Sequence, residues 1–308
     1  MKLSSAFGGL IVSIASLFVG CTTDYDVGNM HYGKGECMGV NAVLSPQNPI
    51  RINLFQVRMK DDTYSSSGLM GAHILLEEDG RVIYEGVSAD SILVLPEKPQ
   101  VGRLYSIKVS YAGLKSVTAY TTIPEAIACD VSMEIVENSW STKDYLVKLD
   151  AFEVSRQSKA SLWVTAHEEN ADGEMFGFWQ LYCNSSLLDR ENAEIGVGSM
   201  QNKWVGAVYY ELFLRIKNKN IAQVNEILFT PYTYGYQKDA KLVIQLVSAN
   251  SEYDQYCKTL YRQQLIKSYD DALSMMFFQP EEVYGNVENG LGIFAGVNQQ
   301  SYYFDGLY

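Results

Sequence analysis

The segment Glu168-Glu169-Asn170-Ala171-Asp172-Gly173-Glu174 gathers oxygen-bearing side chains around one glycine. Asn170, Asp172 and Glu174 alternate and Gly173 permits a sharp turn, which is the ligand spacing of a calcium loop. Such a loop needs a bidentate acid further on; Trp179 stands there instead, and no helical pattern follows. A solvated hairpin turn is the favoured reading. Asn170, Asp172 and Glu174 remain calcium candidates, with no bound metal or other cofactor expected.

Aromatic rings offer a different chemistry. Tyr232, Tyr234 and Tyr236 alternate after Pro231, which puts them on one strand face or one loop edge. Tyr209-Tyr210 and Tyr302-Tyr303 form two further pairs. Flat, amphipathic rings stack on sugars and peptides at small entropic cost. Tyr232, Tyr234, Tyr236, Tyr209 and Tyr210 are therefore the ligand-contact candidates. Strand propensity also enriches tyrosine, so each cluster has a structural explanation beside the functional one.

Catalytic residues are scarcer. The 3 histidines are His31, His73 and His167, and no G-x-S-x-G or H-E-x-x-H signature surrounds them. The Gly290-Leu291-Gly292 run is not followed by a helix pattern, so it reads as a turn and not as a phosphate loop. No catalytic residue is assigned and no enzyme is expected. A hydrolase built from two distant carboxylates is the residual enzymatic alternative.

One cysteine carries chemistry of its own. Lys2 is followed by an apolar run over residues 6–20 that ends Phe18-Val19-Gly20-Cys21. The run has the length of a signal-peptide core and falls short of a membrane span. Small residues before Cys21 suit a lipoprotein signal peptidase, which makes Cys21 the expected lipidation site. Residues 1–20 are then the signal peptide. Residues 21–36, with Asp24 and Asp26, form a lipidated tether without apolar periodicity. A multiply acylated terminus holds a protein stably to a bilayer. The expected location is the outer membrane, with exposure on the cell surface left open. Cys37, Cys129, Cys183 and Cys257 remain; disulfides in an oxidising compartment and buried free thiols are both open.

These side chains must be positioned by strands. The chain has 308 residues, 22 Tyr and 24 Gly but only 7 Pro, a composition that leans to strands and turns. Its formal net charge of −12, uninterrupted by a basic stripe, excludes a nucleic-acid partner. From residue 39 to 124 the pattern has period two: Ile50, Ile52 and Leu54 alternate, as do Tyr105, Ile107, Val109 and Tyr111. Asp79-Gly80 between apolar runs is a type I′ hairpin signal, and Ala112-Gly113 marks another turn. About seven strands in an immunoglobulin-like antiparallel β-sandwich are expected over residues 37–125.

A second, β-rich domain is expected over residues 126–308. Tyr145, Val147, Leu149 and Ala151 alternate, and residues 160–166, 179–183, 208–216, 226–229 and 242–247 are further strand candidates. Ser251-Glu252-Tyr253-Asp254 has the form of a capping box. Tyr253, Tyr256, Cys257, Leu260, Tyr261 and Leu265 follow at helical spacing, with Glu252, Asp254, Lys258 and Arg262 read on the opposite face. The fold class is thus mostly β with one amphipathic helix near the C-terminus.

Several markers occur in a fixed order: Cys21, Thr121-Thr122-Ile123-Pro124, Asp130, the strand over residues 145–152, Ser248-Ala249-Asn250-Ser251-Glu252-Tyr253, and the closing Asn- and Gly-rich stretch from Val283 to Gly296. In this the chain resembles the "domain of unknown function 4249" family of bacterial outer-membrane lipoproteins. The resemblance implies no established catalytic residues. It implies a place beside TonB-dependent outer-membrane transporters. The expected function is a lipid-anchored surface binding protein, accessory to such a transporter, with an unidentified small-molecule, glycan or peptide ligand. The alternative is a structural or adhesive, fimbrial-type surface lipoprotein.

Overall fold

The computed structural model describes residues 36–60, 63–137, 143–153, 159–173, 175–183, 200–202, 207–209, 213–232, 240–268 and 282–305. In chain order the first strands are β1 (Glu36–Leu44), β2 (Ile50–Lys60), β3 (Thr63–Gly68), β4 (His73–Glu78), β5 (Arg81–Val87), β6 (Ile92–Leu95), β7 (Leu104–Ser110) and β8 (Val117–Thr122). They are followed by β9 (Ala128–Glu137), β10 (Lys143–Glu153), β11 (Ser161–Glu169), β12 (Met175–Phe178), β13 (Gln180–Cys183), β14 (Met200–Asn202), β15 (Ala207–Tyr209) and β16 (Leu214–Lys217). A short helix α1 (Asn218–Ile221), β17 (Glu226–Tyr232), β18 (Lys241–Ala249), helix α2 (Ser251–Ser268) and β19 (Leu291–Phe304) complete the order.

One nine-stranded sheet runs through the molecule in the order β12-β11-β18-β19-β1-β2-β3, with β16 on β11 and β6 on β2. Two four-stranded sheets, β5-β4-β7-β8 and β13-β17-β10-β9, accompany it. Alternation along the strands explains the layering. Met38, Val40, Ala42, Leu44, Ile50, Ile52 and Leu54 face a first core shared with Ile74, Leu76, Ile107 and Val109. Leu162, Val164, Leu242, Ile244 and Leu246 face a second core shared with Val147, Leu149, Leu181 and Phe229. The fold is the mostly β, sandwich-like architecture that the period-two pattern predicts.

The long strand β19 belongs to both halves. Leu291–Gly296 pairs in parallel with Gly39–Leu44 of β1. Val297–Phe304 pairs antiparallel with Leu242–Ala249 of β18. Phe294 enters the first core, while Tyr302 and Phe304 pack on the second. Phe294, Tyr302 and Phe304, all even residues, therefore share the inward face of β19. Val297, an odd residue, lies on the opposite side with Trp163, Phe213, Val247 and Ala249. Helix α2 covers that outer side through Tyr253, Cys257 and Tyr261. The parallel β1–β19 seam departs from the all-antiparallel expectation; the long connection between its two strands permits it.

Several local readings hold. Asp79 and Gly80 both have positive φ, 49° and 79°, as a type I′ turn requires. Others need correction. Ala151 does not continue the inward row of Tyr145, Val147 and Leu149. It has φ 50°, is exposed, and sits in a register shift between Asp150 and Glu153. The stretch 208–216 is not one strand; it contributes to β15, paired with β14, and to β16, paired with β11. The cap of α2 is Asn250 and not Ser251: its side-chain oxygen accepts the Tyr253 N–H at 3.0 Å. The same carboxamide donates to Thr121 Oγ1 at 2.8 Å and to the Thr122 carbonyl at 3.0 Å, tying the helix to the end of β8.

The largest correction concerns Asp254. It lies on the sheet side of α2, buried, where Arg215 of β16 and the Trp163 Nε1–H both donate to it. Charge alone reads as an outward position; an ion pair allows an inward one. The cysteines are resolved as well. Cys37, Cys129, Cys183 and Cys257 are all free thiols, Cys129 and Cys183 within the second core.

Candidate functional site

The segment that leads into β19 builds a cleft of about 610 Å³ between α2 and the outer face of the first half-sheet. Asn41 of β1 and Phe55 of β2 form one wall, and Tyr256 and Thr259 of α2 form the other. Glu282, Tyr284 and Gly285 line its lip, and Gly290 to Gly292 its floor. That volume lies within the range of small-molecule sites, about 300–1,000 Å³.

Sequence dictates the floor. A Cβ on Gly292 would stand 2.2 Å from the Val40 carbonyl oxygen, and φ there is 103°. A Cβ on Gly285 would stand 2.5 Å from the Gly292 carbonyl oxygen. Only glycine lets the three backbones approach this closely. Gly290 meets the same limit against the Met38 carbonyl at 2.5 Å, while Asn289 supplies the positive φ of the turn at 58°. The pair therefore divides the two roles. One wall rests on another glycine: the Phe55 ring occupies the space a side chain on Gly39, its cross-strand partner, would fill.

The lip is held by hydrogen bonds. Asn286 donates to the Phe294 carbonyl and accepts the Phe294 N–H, each at 2.8 Å, so its carboxamide takes the place of a neighbouring strand. Glu288 and Thr118 form a backbone bridge to β8. The Tyr284 N–H donates to Thr259 Oγ1 at 2.8 Å, which fastens the lip to α2. Asn41 Oδ1 accepts the Ile293 N–H at 3.2 Å, leaving its amide nitrogen as the donor toward the cleft.

The cleft's polar groups are neutral apart from one carboxylate. Burial raises the pKa of the Tyr256 hydroxyl, with a further push from Cys257; burial and then Glu252 raise that of Tyr284. Both hydroxyls stay protonated and can donate as well as accept. Glu282 is exposed at the lip.

Among the described residues, none of the ligand, metal or histidine candidates read from sequence lines the cleft. Tyr234, Tyr236, Tyr210, Glu174, His31 and Cys21 fall outside the described residues. Tyr232 ends β17, opposite Gln180 of β13, and Tyr209 ends β15, opposite Met200 of β14; their side chains also lie outside the description. Asn170 and Asp172 sit in the β11–β12 turn. Asn170 Oδ1 accepts the Asp172 N–H at 3.0 Å and its carbonyl accepts the Gly173 N–H at 3.0 Å. That is a side-chain-supported hairpin turn. His73 is exposed beside Glu85 at 3.6 Å, whereas His167 is buried in β11 and its pKa is lowered by that burial. Among the described residues no group of three His, Cys, Asp or Glu could hold a metal ion.

Sequence reasoning missed Asn41, Phe55, Tyr256, Thr259 and Tyr284 as one set. Their common signal is the spacing of the closing glycines, which marks where backbone must pass under backbone. That closing stretch lies inside a family match covering residues 23–303, described as "Domain of unknown function (DUF4249)". The chain belongs to this family. The match takes in α2, the cleft, the buried residues of both cores and β19 as far as Tyr303. No curated protein matches the chain. Among solved structures it is similar to the collagen binding domain of the Erysipelothrix rhusiopathiae surface protein RspB. That pair has 9% identity, 86% of this chain and 97% of that chain covered, and a TM-score of 0.17. Among the described residues no helix is long and apolar enough to cross a membrane.

Proposed function

We propose that this family member is a binding protein, anchored through a lipid on Cys21 at the bacterial outer membrane and serving as accessory to a TonB-dependent transporter. The observation that carries the binding role is the cleft itself. Three half-buried rings, Phe55, Tyr256 and Tyr284, and a fixed carboxamide are set into a frame of glycine-enforced backbone contacts. A frame of this kind presents rings without ordering them at the moment of binding. The family match begins at residue 23, two positions after Cys21, which supports a leader over residues 1–20 and a short tether ahead of the globular part. The seam between the halves is proposed at residues 125 and 126. β19 is paired within its own chain along both of its halves, which supports a self-contained module over a subunit awaiting a donor strand.

Detergent-solubilised outer membranes from cells carrying a tagged chain test this reading. The protein is expected in that fraction, labelled by palmitate and co-purifying with a β-barrel transporter. Cys21→Ser is expected to abolish the label. Persistent labelling of that variant removes the anchor, and recovery without any transporter removes the accessory role. Turnover of glycan, peptide or ester substrates that depends on a carboxylate pair turns the reading to an enzyme.

A further inference from the structure

The binding reading leaves the ligand open, and the cleft's chemistry narrows it. Among the cleft's described lining residues none is lysine, arginine or histidine, and its one charged side chain is Glu282. An anionic ligand meets no counter-charge there and approaches a chain of net charge −12. A cation finds Glu282, exposed at the lip and already solvated by water, and Glu252, which acts on Tyr284 from outside the lining. The other polar groups are neutral: the half-buried Tyr256 and Tyr284 hydroxyls, backbone at Gly290 and Gly292, and the exposed Asn41 amide nitrogen. A buried polar group must be hydrogen-bonded when water leaves, so the occupant must bring both donors and acceptors. The half-buried rings of Phe55, Tyr256 and Tyr284 ask in addition for a flat apolar face.

We propose that the cleft binds a short neutral saccharide, its C–H face against the rings and its hydroxyls on Asn41, Tyr256 and Tyr284. This rests on the binding-protein reading and deepens it. A sugar ring is the common chemical unit that joins an apolar face to a rim of uncharged hydroxyls. Glycines at the floor let that rim come within reach of backbone carbonyls.

Isothermal titration of the purified mature chain tests the idea. The probes are maltotriose, cellotriose, xylotriose and mannotriose, each beside trigalacturonate and a glucosamine trimer. At least one neutral trisaccharide is expected to bind, and at least tenfold more tightly than either charged trimer. Tyr256→Ala is expected to weaken it at least tenfold. Tyr256→Phe and Tyr284→Phe, which keep the ring, should weaken it several-fold with an unchanged melting temperature. Val82→Ser on exposed β5 should change nothing. Failure of every neutral probe overturns the proposal, as does equal binding of the uronate. So does binding that survives both Tyr256 substitutions within twofold. If the probes fail while the transporter still co-purifies, only the ligand class falls. If saccharide binds and no transporter co-purifies, the accessory role falls and the ligand class stands.

Discussion

Arg215 and Asp254 meet beneath α2 through two parallel hydrogen bonds, Nε to Oδ1 and Nη2 to Oδ2, each 2.7 Å long. The guanidinium is fully buried, and Trp163 Nε1 adds a third donor at 2.9 Å. Lys258, one turn along the helix, approaches the same carboxylate at 3.7 Å. Breaking such a pair from one side strands a charge and costs about 3–5 kcal/mol. Asp254→Ala and Arg215→Ala are each expected to lose that much in urea unfolding. The double variant Arg215→Met/Asp254→Leu should recover part of the loss, since it strands no buried charge, while the Trp163 Nε1–H is left without its acceptor.

The same pair sets an acid limit. Burial alone raises the Asp254 pKa, but hydrogen bonds and charge from Arg215, with Lys258 and Trp163, outweigh it and leave the folded value below 3.8. A depressed folded value means that the contribution is present above the unfolded pKa and is lost as pH falls through the folded one. Unfolding titrations from pH 6 to pH 2 should show the wild type losing this stability in the acid range. The Met/Leu double variant should show a flatter profile there.

Gly296 and Gly80 predict a contrast. A Cβ on Gly296 would lie 2.2 Å from the Thr122 carbonyl oxygen, a backbone atom that cannot step aside. At Gly80 there is nothing within 4 Å, and only the φ of 79° opposes a side chain. Gly80→Ala should cost about 1–2 kcal/mol. Gly296→Ala should cost more, and should also perturb amide shifts in both cores, since β8 and β19 must part to admit the methyl.

Asn286→Ala removes both carboxamide bonds to Phe294 and leaves its N–H and carbonyl without their partner. A loss of about 1–3 kcal/mol is expected. Hydrogen exchange at the Phe294 amide should accelerate well beyond that of its neighbours Ile293 and Ala295. Exchange unchanged at Phe294 would mean that the lip holds without this side chain.

Thiol labelling should divide along burial. Burial pushes the Cys129 and Cys257 thiols up to about 12. At pH 8 their thiolate populations are negligible. Iodoacetamide followed by peptide mapping should leave both unmodified in the native protein and modify both in guanidinium. Cys37 is half-buried, its pKa raised by burial, and should react at an intermediate rate.

The legible part of this fold is what depends on nearest neighbours. Ile50, Ile52 and Leu54 alternate because one face of β2 is buried, and Asp79-Gly80 turns because both residues accept positive φ. The extent of α2 is legible for the same reason. Its orientation is not. Asp254 reads as a solvent residue until Arg215 is placed beside it, and nothing local to either residue announces the other. Leu214-Arg215-Ile216 looks like any strand with one polar face; the partner that makes that face internal is 39 residues away. The cleft is hidden by the same distance. Asn41, Tyr256 and Tyr284 come together only because β1 and β19 lie side by side, a pairing no period in the sequence encodes.

The position of β19 has a consequence for the order of assembly. Its contacts close loops of very large span, such as the one from Gln47 to Asn298 across 251 residues. Contacts of such span are late and slow, because their closure entropy must be met before they reward the chain. Neither core is complete without this strand: the first lacks Phe294, the second Tyr302 and Phe304. The joining of the two halves therefore waits on one event, the arrival of residues 291–304. Until then β1 and β18 present open edges and the chain stays pliant enough to be threaded. Once it docks, both halves lock together. For a protein proposed to cross one membrane before settling on another, late locking of this kind keeps passage and permanence apart in time.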